Sequence, residues 1–357
     1  MKASSKRASR AWVALTMSAL ALSGCGSGGS DVQSEPPTPA PPTQPPPVGG
    51  GDPAAAAKAT ADNNPMCAPS RLGSYYWEIG DANNVLVSGT VGSSPPSRTT
   101  AMWIYSASKW LYAANVVQKR GVNSADVPFL NFTSGWSNFG NLPVCVLGDT
   151  VGECLVGRDA FDAASVGRFK YDSGHMQHHA ANVMGLAGAD NAALAADLNA
   201  TVGNFGFEYT VPQLAAGVVS STQGYAAFLQ KMMRGELALG NALGSNKVCA
   251  NPATAGCNAI EAPDTDTNEA LNYGLGHWVE DDPSYGDHAY SSPGGGGFYP
   301  WIDNTRTLYG IVARERPGND AGFSSAECGR LIRQAWRTGV EVTSTMPTPS
   351  AAQPPER

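Results

Sequence analysis

The sequence has 357 residues, with 23 basic and 30 acidic side chains and a formal net charge of −7 at pH 7. This length is enough for one large domain or two small ones with a sizeable core. The excess of acidic residues argues against a nucleic acid partner. It also argues against an anionic substrate that is held by a broad basic patch.

The first 24 residues have the composition of an export signal. Basic residues precede an apolar stretch, 11–22, that is too short to span a bilayer as an ordinary transmembrane helix. The stretch ends in Leu22-Ser23-Gly24-Cys25, which resembles a bacterial lipobox. The sequence therefore predicts a lipoprotein signal peptide over 1–24, with Cys25 lipidated and the chain anchored in a membrane of the cell envelope. A plain secretory signal with an unrelated cysteine is the alternative.

Two stretches have a composition that cannot bury enough apolar surface to fold. Residues 25–59 are predicted to be a tether, because Gly, Ser, Pro and Thr dominate the segment that follows Cys25. Residues 343–357 form a similar Pro-rich tail. The globular domain is therefore expected over 60–342. Four of the 23 basic residues and none of the 30 acidic ones precede the tether, so the mature chain keeps 19 basic residues.

Six cysteines remain after Cys25, and an even number in an exported protein suggests disulfides. A metal site is the alternative, but the sequence contains no Cys-x-x-Cys pair. The connectivity stays open, and spacing followed by elimination favours Cys145 with Cys154, Cys249 with Cys257, and Cys67 with Cys328.

The strand patterns lie towards the two ends of this domain. Hairpins are expected from the β-prone runs 74–79 and 85–91 and, after Tyr290, from 297–302 and 307–313. The predicted helices are 107–120, 173–187, 212–234 and 326–337. This order predicts an α/β (α+β) fold, in which an antiparallel sheet from both termini is flanked by helices. A largely helical subdomain is inserted over about 107–285, with a cleft where the two parts meet.

One short stretch combines a nucleophile with a base at a spacing that a helix can use. On the helix predicted over 107–120, Lys109 shares a face with Ser106, three residues earlier, whereas Ser108 points elsewhere. A serine hydroxyl needs a base to take its proton. A lysine can be that base only if burial or a neighbour lowers its pKa. Ser106 is therefore the candidate nucleophile, with Lys109 as its base.

The order of these pieces resembles the serine β-lactamase and penicillin-binding protein superfamily, in particular its class C branch with the family VIII carboxylesterases. The resemblance covers nearly the whole domain and implies a β-lactamase/transpeptidase-like fold. The matching segments, in chain order, are Ser106 to Lys109, 130–136, Tyr171 to Ser173, 212–229, 273–276, and Ser292 to Gly294 followed by 301–303.

The resemblance also implies roles for residues outside the Ser-x-x-Lys pair. Tyr171 would share proton transfer with Lys109, and the backbone N–H groups of Ser106 and Gly295 would hold the oxyanion. A phenol and an amine both titrate near pH 10 in water, so one of them must be perturbed to act near neutrality. A neighbouring ammonium would favour the phenolate of Tyr171. Ser173 and the segment Ser292 to Gly294 would line the substrate site.

Three positions depart from the family pattern. Ser292 stands where lysine or histidine is usual, which removes a cation that would help to hold a β-lactam carboxylate. Ser173 replaces an asparagine and offers fewer hydrogen-bonding groups. Phe132 occupies a position where histidine is usual. The first two departures weaken a β-lactamase interpretation more than a serine hydrolase one.

No metal or other cofactor is expected. His175, His178 and His179 have a spacing that could bind a metal, yet no nearby carboxylate or cysteine completes a site. The stretch 264–268 resembles the start of a calcium loop, but Glu269 occupies the place where the turn needs glycine, so a solvated loop is expected.

The sequence thus predicts an extracytoplasmic serine hydrolase that cleaves a small-molecule ester, amide or peptide through an acyl-enzyme and is most like an esterase. A β-lactamase or D-Ala-D-Ala carboxypeptidase is the enzymatic alternative. A non-catalytic envelope lipoprotein that binds a ligand or has a structural role is the other. The intact set of Ser106, Lys109 and Tyr171 argues against this last alternative, because drift would tend to remove it.

Overall fold

The computed structural model describes residues 51–140, 144–145, 149–263, 269–316 and 321–345. The expected signal peptide with Cys25, the calcium-like stretch 264–268 and the tail from residue 346 lie outside the described residues. No helix within the described ranges is long and apolar enough to cross a membrane.

Two antiparallel sheets form the framework. The main sheet has 8 strands in the order β2-β1-β11-β10-β9-β8-β7-β6, and a smaller sheet has the order β3-β5-β4. The strands are β1 (Tyr75–Gly80), β2 (Val85–Val91), β3 (Met102–Trp103), β4 (Glu208–Tyr209), β5 (Val218–Ser220), β6 (Val248–Cys249), β7 (Asn272–Gly274), β8 (His277–Val279), β9 (Tyr290–Ser291), β10 (Tyr299–Ile302) and β11 (Tyr309–Ala313).

Helices cover both faces of the main sheet. They are α1 (Pro53–Asn63), α2 (Pro69–Leu72), α3 (Ser108–Arg120), α4 (Val127–Leu130), α5 (Val151–Leu155), α6 (Gly174–Asn182), α7 (Asn191–Val202), α8 (Thr222–Met233), α9 (Ala238–Ala242) and α10 (Ala321–Thr338). The side chains of β1 alternate between the two faces, so Trp77 packs with Trp336 of α10 while Tyr76 joins the core that contains Trp110 of α3 and Phe228 of α8. The sheet therefore lies between two apolar layers.

The expected sheet from both termini is present. β1 pairs with β2 and also with β11, and β11 pairs with β10, so both expected hairpins meet in one sheet. The expectation of a helical insertion over about 107–285 was wrong at its end, because β6, β7 and β8 belong to the main sheet. Two strands of the smaller sheet, β4 and β5, also lie within the expected insertion, whereas β3 precedes it.

Several predicted boundaries also change. The tether was expected to run to residue 59, but α1 begins at Pro53, where Asp52 caps the helix by accepting from the Ala54 N–H. The helix expected over 212–234 begins only at Thr222, because Gly217 ends a turn that leads directly into β5. The helix expected over 173–187 ends at Asn182.

The favoured disulfide pairing is confirmed. Cys67 is bonded to Cys328, and the two remaining pairs close short loops, Cys145 with Cys154 and Cys249 with Cys257. The first bond joins the segment after α1 to α10, across a sequence separation of 261 residues.

A buried group of charges fixes α10 against the main sheet at the end of β8 and in β9. Glu280 accepts hydrogen bonds from Arg330 (3.1 Å) and Arg333 (2.7 Å) of α10 and from the Ser291 hydroxyl (2.6 Å). Burial alone would raise the pKa of Glu280, but the two guanidinium groups hold it below its usual range. This network anchors β9 immediately before Ser292.

Candidate active site

Ser106 lies in a tight turn, Tyr105–Ala107, that leads directly into α3. The turn is closed by a hydrogen bond from the Ala107 N–H to the Ile104 carbonyl (3.1 Å), and Tyr105 has a φ of 47°. A non-glycine residue rarely adopts this left-handed conformation, which is concentrated at functional sites. Ser106 itself is only half-buried, so a small molecule can reach its hydroxyl.

Lys109, one turn further along, meets the Ser106 hydroxyl as the helical spacing predicts. Its Nζ lies 2.9 Å from Ser106 Oγ and 3.1 Å from the Ala215 carbonyl oxygen, to which it donates. The Lys109 side chain is buried, with Nζ 4.8 Å from the centre of the Tyr171 ring and 5.9 Å from that of Phe132. This burial lowers the pKa of Lys109 to about 7.

Ser108, the other serine of the stretch, is excluded as the nucleophile by its position. Its side chain is buried, and its Oγ accepts a hydrogen bond from the Val218 N–H at 3.2 Å. Ser108 therefore joins α3 to β5, as expected for a residue on another face of the helix.

Tyr171 completes the group around the Ser106 hydroxyl. It is buried, and its hydroxyl shares a hydrogen bond with Ser106. Burial raises the pKa of Tyr171 to about 12, an effect that the hydrogen bond to Ser106 offsets only in part. The expectation that a neighbouring ammonium would favour phenolate was therefore wrong. The same burial that favours the neutral form of the amine also favours the protonated phenol, because a low-dielectric site disfavours both charged forms.

Asp172 is a residue whose contribution the sequence did not indicate. Its buried carboxylate accepts from the N–H groups of Phe139 (3.1 Å), Gly140 (2.8 Å) and Gly174 (2.7 Å). These bonds fix the start of α6 to the loop at 139–140, and so hold Tyr171 in place. The negative charge of Asp172 also raises the pKa of Lys109, against the larger effect of burial.

The glycine turn at 294–297 lies against the nucleophile. A side chain on Gly294 would collide with the Ile104 carbonyl oxygen, and its Cβ would come within 3.5 Å of the Ala107 nitrogen. Glycine is therefore required at 294 for this close approach. Gly295 is exposed, and its N–H has no acceptor among the described residues. Gly294 thus brings the turn that carries the Gly295 N–H against the turn that carries Ser106.

Several solved structures have folds similar to that of this chain. The structures compared are the D-amino acid amidase from Ochrobactrum anthropi SV3, the octameric penicillin-binding protein homologue from Pyrococcus abyssi, and EstCE1, described as a hydrolase with promiscuous acyltransferase activity. Their TM-scores are 0.58, 0.54 and 0.50, at sequence identities of 12%, 14% and 13%. The alignments cover 80%, 77% and 75% of this chain, and 98%, 76% and 94% of the respective neighbours.

The chain has a β-lactamase/transpeptidase-like fold. At these identities the similarity is one of fold, and it confirms the expected fold class. No protein-family model and no curated protein sequence matches the chain.

Ser292 and Ser173, which were expected to line the substrate site, are respectively hydrogen-bonded within the protein and fully buried. The Ser292 hydroxyl donates to the Ser106 carbonyl oxygen at 3.2 Å, so it stabilises the nucleophile turn. Ser173 is fully buried, and its Oγ has no hydrogen-bond partner in the described part of the chain. Neither side chain is exposed to a ligand in the manner the resemblance implies.

Arg314, a candidate to replace the missing cation at Ser292, is held by other groups. Arg314 is buried and donates to Ser325 Oγ (2.8 Å) and to the carbonyl oxygens of Leu72 and Ala321. The Arg316 N–H donates to the Gly296 carbonyl oxygen at 2.8 Å, and its exposed side chain lies near Gly73. Arg314 is therefore engaged in joining β11 to α10.

The three histidines of α6 have separate partners. The contacts are His175 Nδ1 with Ser134 Oγ (2.7 Å), His178 Nδ1 with Asp159 (2.8 Å), and His179 with Tyr112 (2.7 Å) and Asp126 (3.1 Å). In the residues that the structure describes, no group of three or more His, Cys, Asp or Glu side chains could hold a metal ion. Their helical spacing therefore reflects three distinct packing contacts.

Proposed function

We propose that this protein is an extracytoplasmic serine hydrolase that cleaves esters or amides through an acyl-enzyme, with esters as its better substrates. The observation that carries the proposal is the contact of 2.9 Å between Ser106 Oγ and a buried Lys109 amine whose pKa is about 7. At neutral pH a large fraction of this amine is unprotonated and can take the Ser106 proton.

Acylation begins when Ser106 Oγ attacks the substrate carbonyl carbon while Lys109 takes the hydroxyl proton. The carbonyl oxygen becomes an oxyanion, and the N–H groups of Ser106 and Gly295 are the proposed donors to it. The bond to the leaving group then breaks. Tyr171, still protonated, donates its proton to the leaving atom and recovers one from the Lys109 ammonium. The acyl group is now on Ser106, and Lys109 and Tyr171 have both returned to their starting protonation states.

Deacylation repeats the same steps with water as the nucleophile. Lys109 takes a proton from water, the oxygen attacks the acyl carbon, and the bond to Ser106 Oγ breaks as that oxygen is reprotonated. The product acid leaves and the enzyme returns to its starting state. No cofactor enters this sequence.

Preference for esters is supported by the surroundings of Ser292. A β-lactam or a D-Ala terminus presents a carboxylate, and the Ser292 hydroxyl is already donated to the Ser106 carbonyl. Arg314, a possible substitute, is held by Leu72, Ser325 and Ala321. Neutral esters do not need this contact.

Amide cleavage remains within the proposal. Among the fold neighbours is a D-amino acid amidase with a TM-score of 0.58, so a related amidase activity is the second candidate. A β-lactamase or D-Ala-D-Ala carboxypeptidase and a non-catalytic envelope lipoprotein are the remaining alternatives.

Intact-protein mass spectrometry with a fluorophosphonate, activated short-chain esters and β-lactams tests the proposal. We expect one adduct per chain with the fluorophosphonate, turnover of the esters, and loss of both in Ser106→Ala. Ser108→Ala is the matched control. The Ser108 hydroxyl accepts from the Val218 N–H and is not the expected site of labelling, so this variant should be labelled like the wild type. Absence of any adduct on the wild type would favour the non-catalytic alternative. Efficient cephalosporin hydrolysis without ester turnover would favour the β-lactamase.

The cellular location is part of the proposal and rests on the lipobox-like Leu22 to Cys25. We expect the mature protein to partition into detergent, and Cys25→Ala to abolish lipidation and this partitioning. Unchanged partitioning of the variant would exclude lipid attachment at Cys25.

A further inference from the structure

Two half-exposed aromatic side chains flank the nucleophile. The rings of Trp103 and Tyr105 are stacked, with centroids 5.1 Å apart and an interplanar angle of 16°. Both side chains are half-buried, and Tyr105 immediately precedes Ser106. We call these two rings the aromatic shelf.

The shelf connects the two turns that complete the candidate site. The Trp103 indole N–H donates to the carbonyl oxygen of Ala216, next to Ala215, whose carbonyl accepts from Lys109. At the other end one edge of the Tyr105 ring lies beside the Gly296 backbone, where an added Cβ would come within 2.7 Å of Tyr105 Cε2. The shelf therefore extends from the turn that holds the base to the turn that carries the Gly295 amide.

The backbone at Tyr105 makes an aromatic residue at this position unexpected. Its φ of 47° lies in the left-handed region, which glycine or asparagine would adopt at lower cost. Tyr105 thus places a bulky side chain where the backbone conformation disfavours one. Such strain is concentrated at sites where it serves binding or catalysis.

The charge next to the shelf restricts what it can bind. The Glu315 carboxylate accepts from the backbone N–H of Trp103 at 3.3 Å, beside the shelf. Burial and this carboxylate both raise the pKa of Tyr105, so its hydroxyl is uncharged near neutrality. A flat apolar group can stack on the rings, whereas an anionic group would be repelled by Glu315.

We propose that the aromatic shelf of Trp103 and Tyr105 binds an uncharged aromatic group of the substrate beside the scissile carbonyl. This proposal rests on the proposed hydrolase function and gives its substrate class: neutral aromatic esters or amides are preferred over aliphatic and anionic ones of similar size. A purely structural role for the stack would instead change the turnover of all substrates alike.

The test is the ratio of kcat/KM values for matched esters. Methyl phenylacetate places the ring on the acyl side, benzyl acetate places it on the alcohol side, and hexyl acetate is the aliphatic reference. In Tyr105→Leu we expect the aromatic-to-aliphatic ratio to fall about two- to tenfold for the ester whose ring meets the shelf. Tyr105→Phe, which keeps the ring, should restore the wild-type ratio. Equal losses for all three esters in Tyr105→Leu would overturn the proposal.

A second measurement separates this proposal from the proposed function. If the wild type is labelled at Ser106 by a fluorophosphonate but Tyr105→Leu keeps the wild-type ratio, the shelf proposal fails and the hydrolase stands. If the wild type neither reacts nor turns over any ester, the hydrolase fails. In that case the esters are not cleaved, and calorimetry can measure the dissociation constants of benzyl acetate and hexyl acetate to test the shelf directly. Tighter binding of benzyl acetate that Tyr105→Leu abolishes would support it, and equal binding would overturn it.

Discussion

The Lys109 amine lies over the face of the Tyr171 ring, 4.8 Å from the ring centre. The amine and the phenol hydroxyl each contact Ser106, so the two groups reach its hydroxyl separately. The ring face also supplies part of the apolar surface that buries the amine. Tyr171 can therefore affect catalysis in two ways, through its hydroxyl and through its ring, and a variant that removes only the hydroxyl separates them.

Replacing Lys109 tests its role as the base. Lys109→Met should lower the rate of Ser106 acylation by about 100- to 10,000-fold, the usual contribution of a positioned base. Lys109→Arg should lose as much, because arginine keeps the positive charge but does not deprotonate in proteins. The rate of fluorophosphonate labelling measures both, with Ser108→Ala as the control. Labelling of Lys109→Met at the wild-type rate would exclude Lys109 as the base.

The pH dependence of ester hydrolysis should follow Lys109. The amine acts as a base only when deprotonated, so kcat/KM should rise through about pH 7 as its proton is lost. The rate should then stay level above this pH, since the pKa of Tyr171, about 12, keeps the phenol protonated. A profile that falls between pH 7 and 9 would indicate that an acid with a pKa in that range is needed.

Burial of Lys109 also predicts a pH-dependent stability. Its pKa is 10.5 before burial and about 7 in the folded protein. Between these values the unfolded chain binds one proton more than the folded chain, so the fold becomes more stable as the pH rises. Relative to Lys109→Met, the wild type should gain about 2 kcal/mol in free energy of unfolding between pH 7 and 9. Urea denaturation at the two pH values measures it; a constant difference would mean that Lys109 stays charged.

Removing the hydroxyl of Tyr171 should impair proton transfer while keeping the ring. Tyr171→Phe is expected to lower kcat/KM by about 100-fold or more. Tyr273→Phe is the matched control. Tyr273 is also buried, its ring lies 6.4 Å from that of Tyr171, and its hydroxyl has no partner among the described residues. Similar losses in the two variants would show that the effect comes from packing rather than from proton transfer.

A cation at position 292 should shift the preference towards β-lactams. Ser292→Lys could supply the charge-assisted hydrogen bond that a carboxylate needs, worth about 1.5 to 3 kcal/mol, or roughly ten- to a hundredfold in affinity or rate. Ser292→Met matches the length without the charge, and both variants lose the hydrogen bond to the Ser106 carbonyl. The measured quantity is β-lactam acylation relative to ester turnover. An equal ratio in the two variants would exclude the charge as the cause.

The contact between Ser106 and Lys109 was predictable from the sequence because helical periodicity alone brings residues three apart together. The two hairpins were predictable for a similar reason, since alternating apolar residues fix which side chains face the core. The prediction that a helix begins at residue 212 was wrong, because the apolar residues before Thr222 lie in a turn and in β5. Hydrophobic periodicity alone cannot distinguish a short helix from such a segment.

The charge states and the supporting contacts could not be predicted. The pKa of Tyr171 depends on burial by residues distant in sequence, such as Phe132 and Trp278. Asp172 carried no sequence signal, because its role lies in accepting three backbone N–H groups. Tyr105 could have been noticed as a bulky residue beside the nucleophile, but its positive φ and its stacking on Trp103 are tertiary features.

The bond between Cys67 and Cys328 has a consequence for how this protein would respond to limited proteolysis. Every residue of the candidate site, from Ser106 to Gly295, lies between these two cysteines. A protease that cuts one exposed loop in this interval leaves two pieces that are still covalently joined and still paired through β1 and β11. A singly nicked molecule would migrate as one band without reductant and as two bands with it, and could keep its activity until the disulfide is reduced.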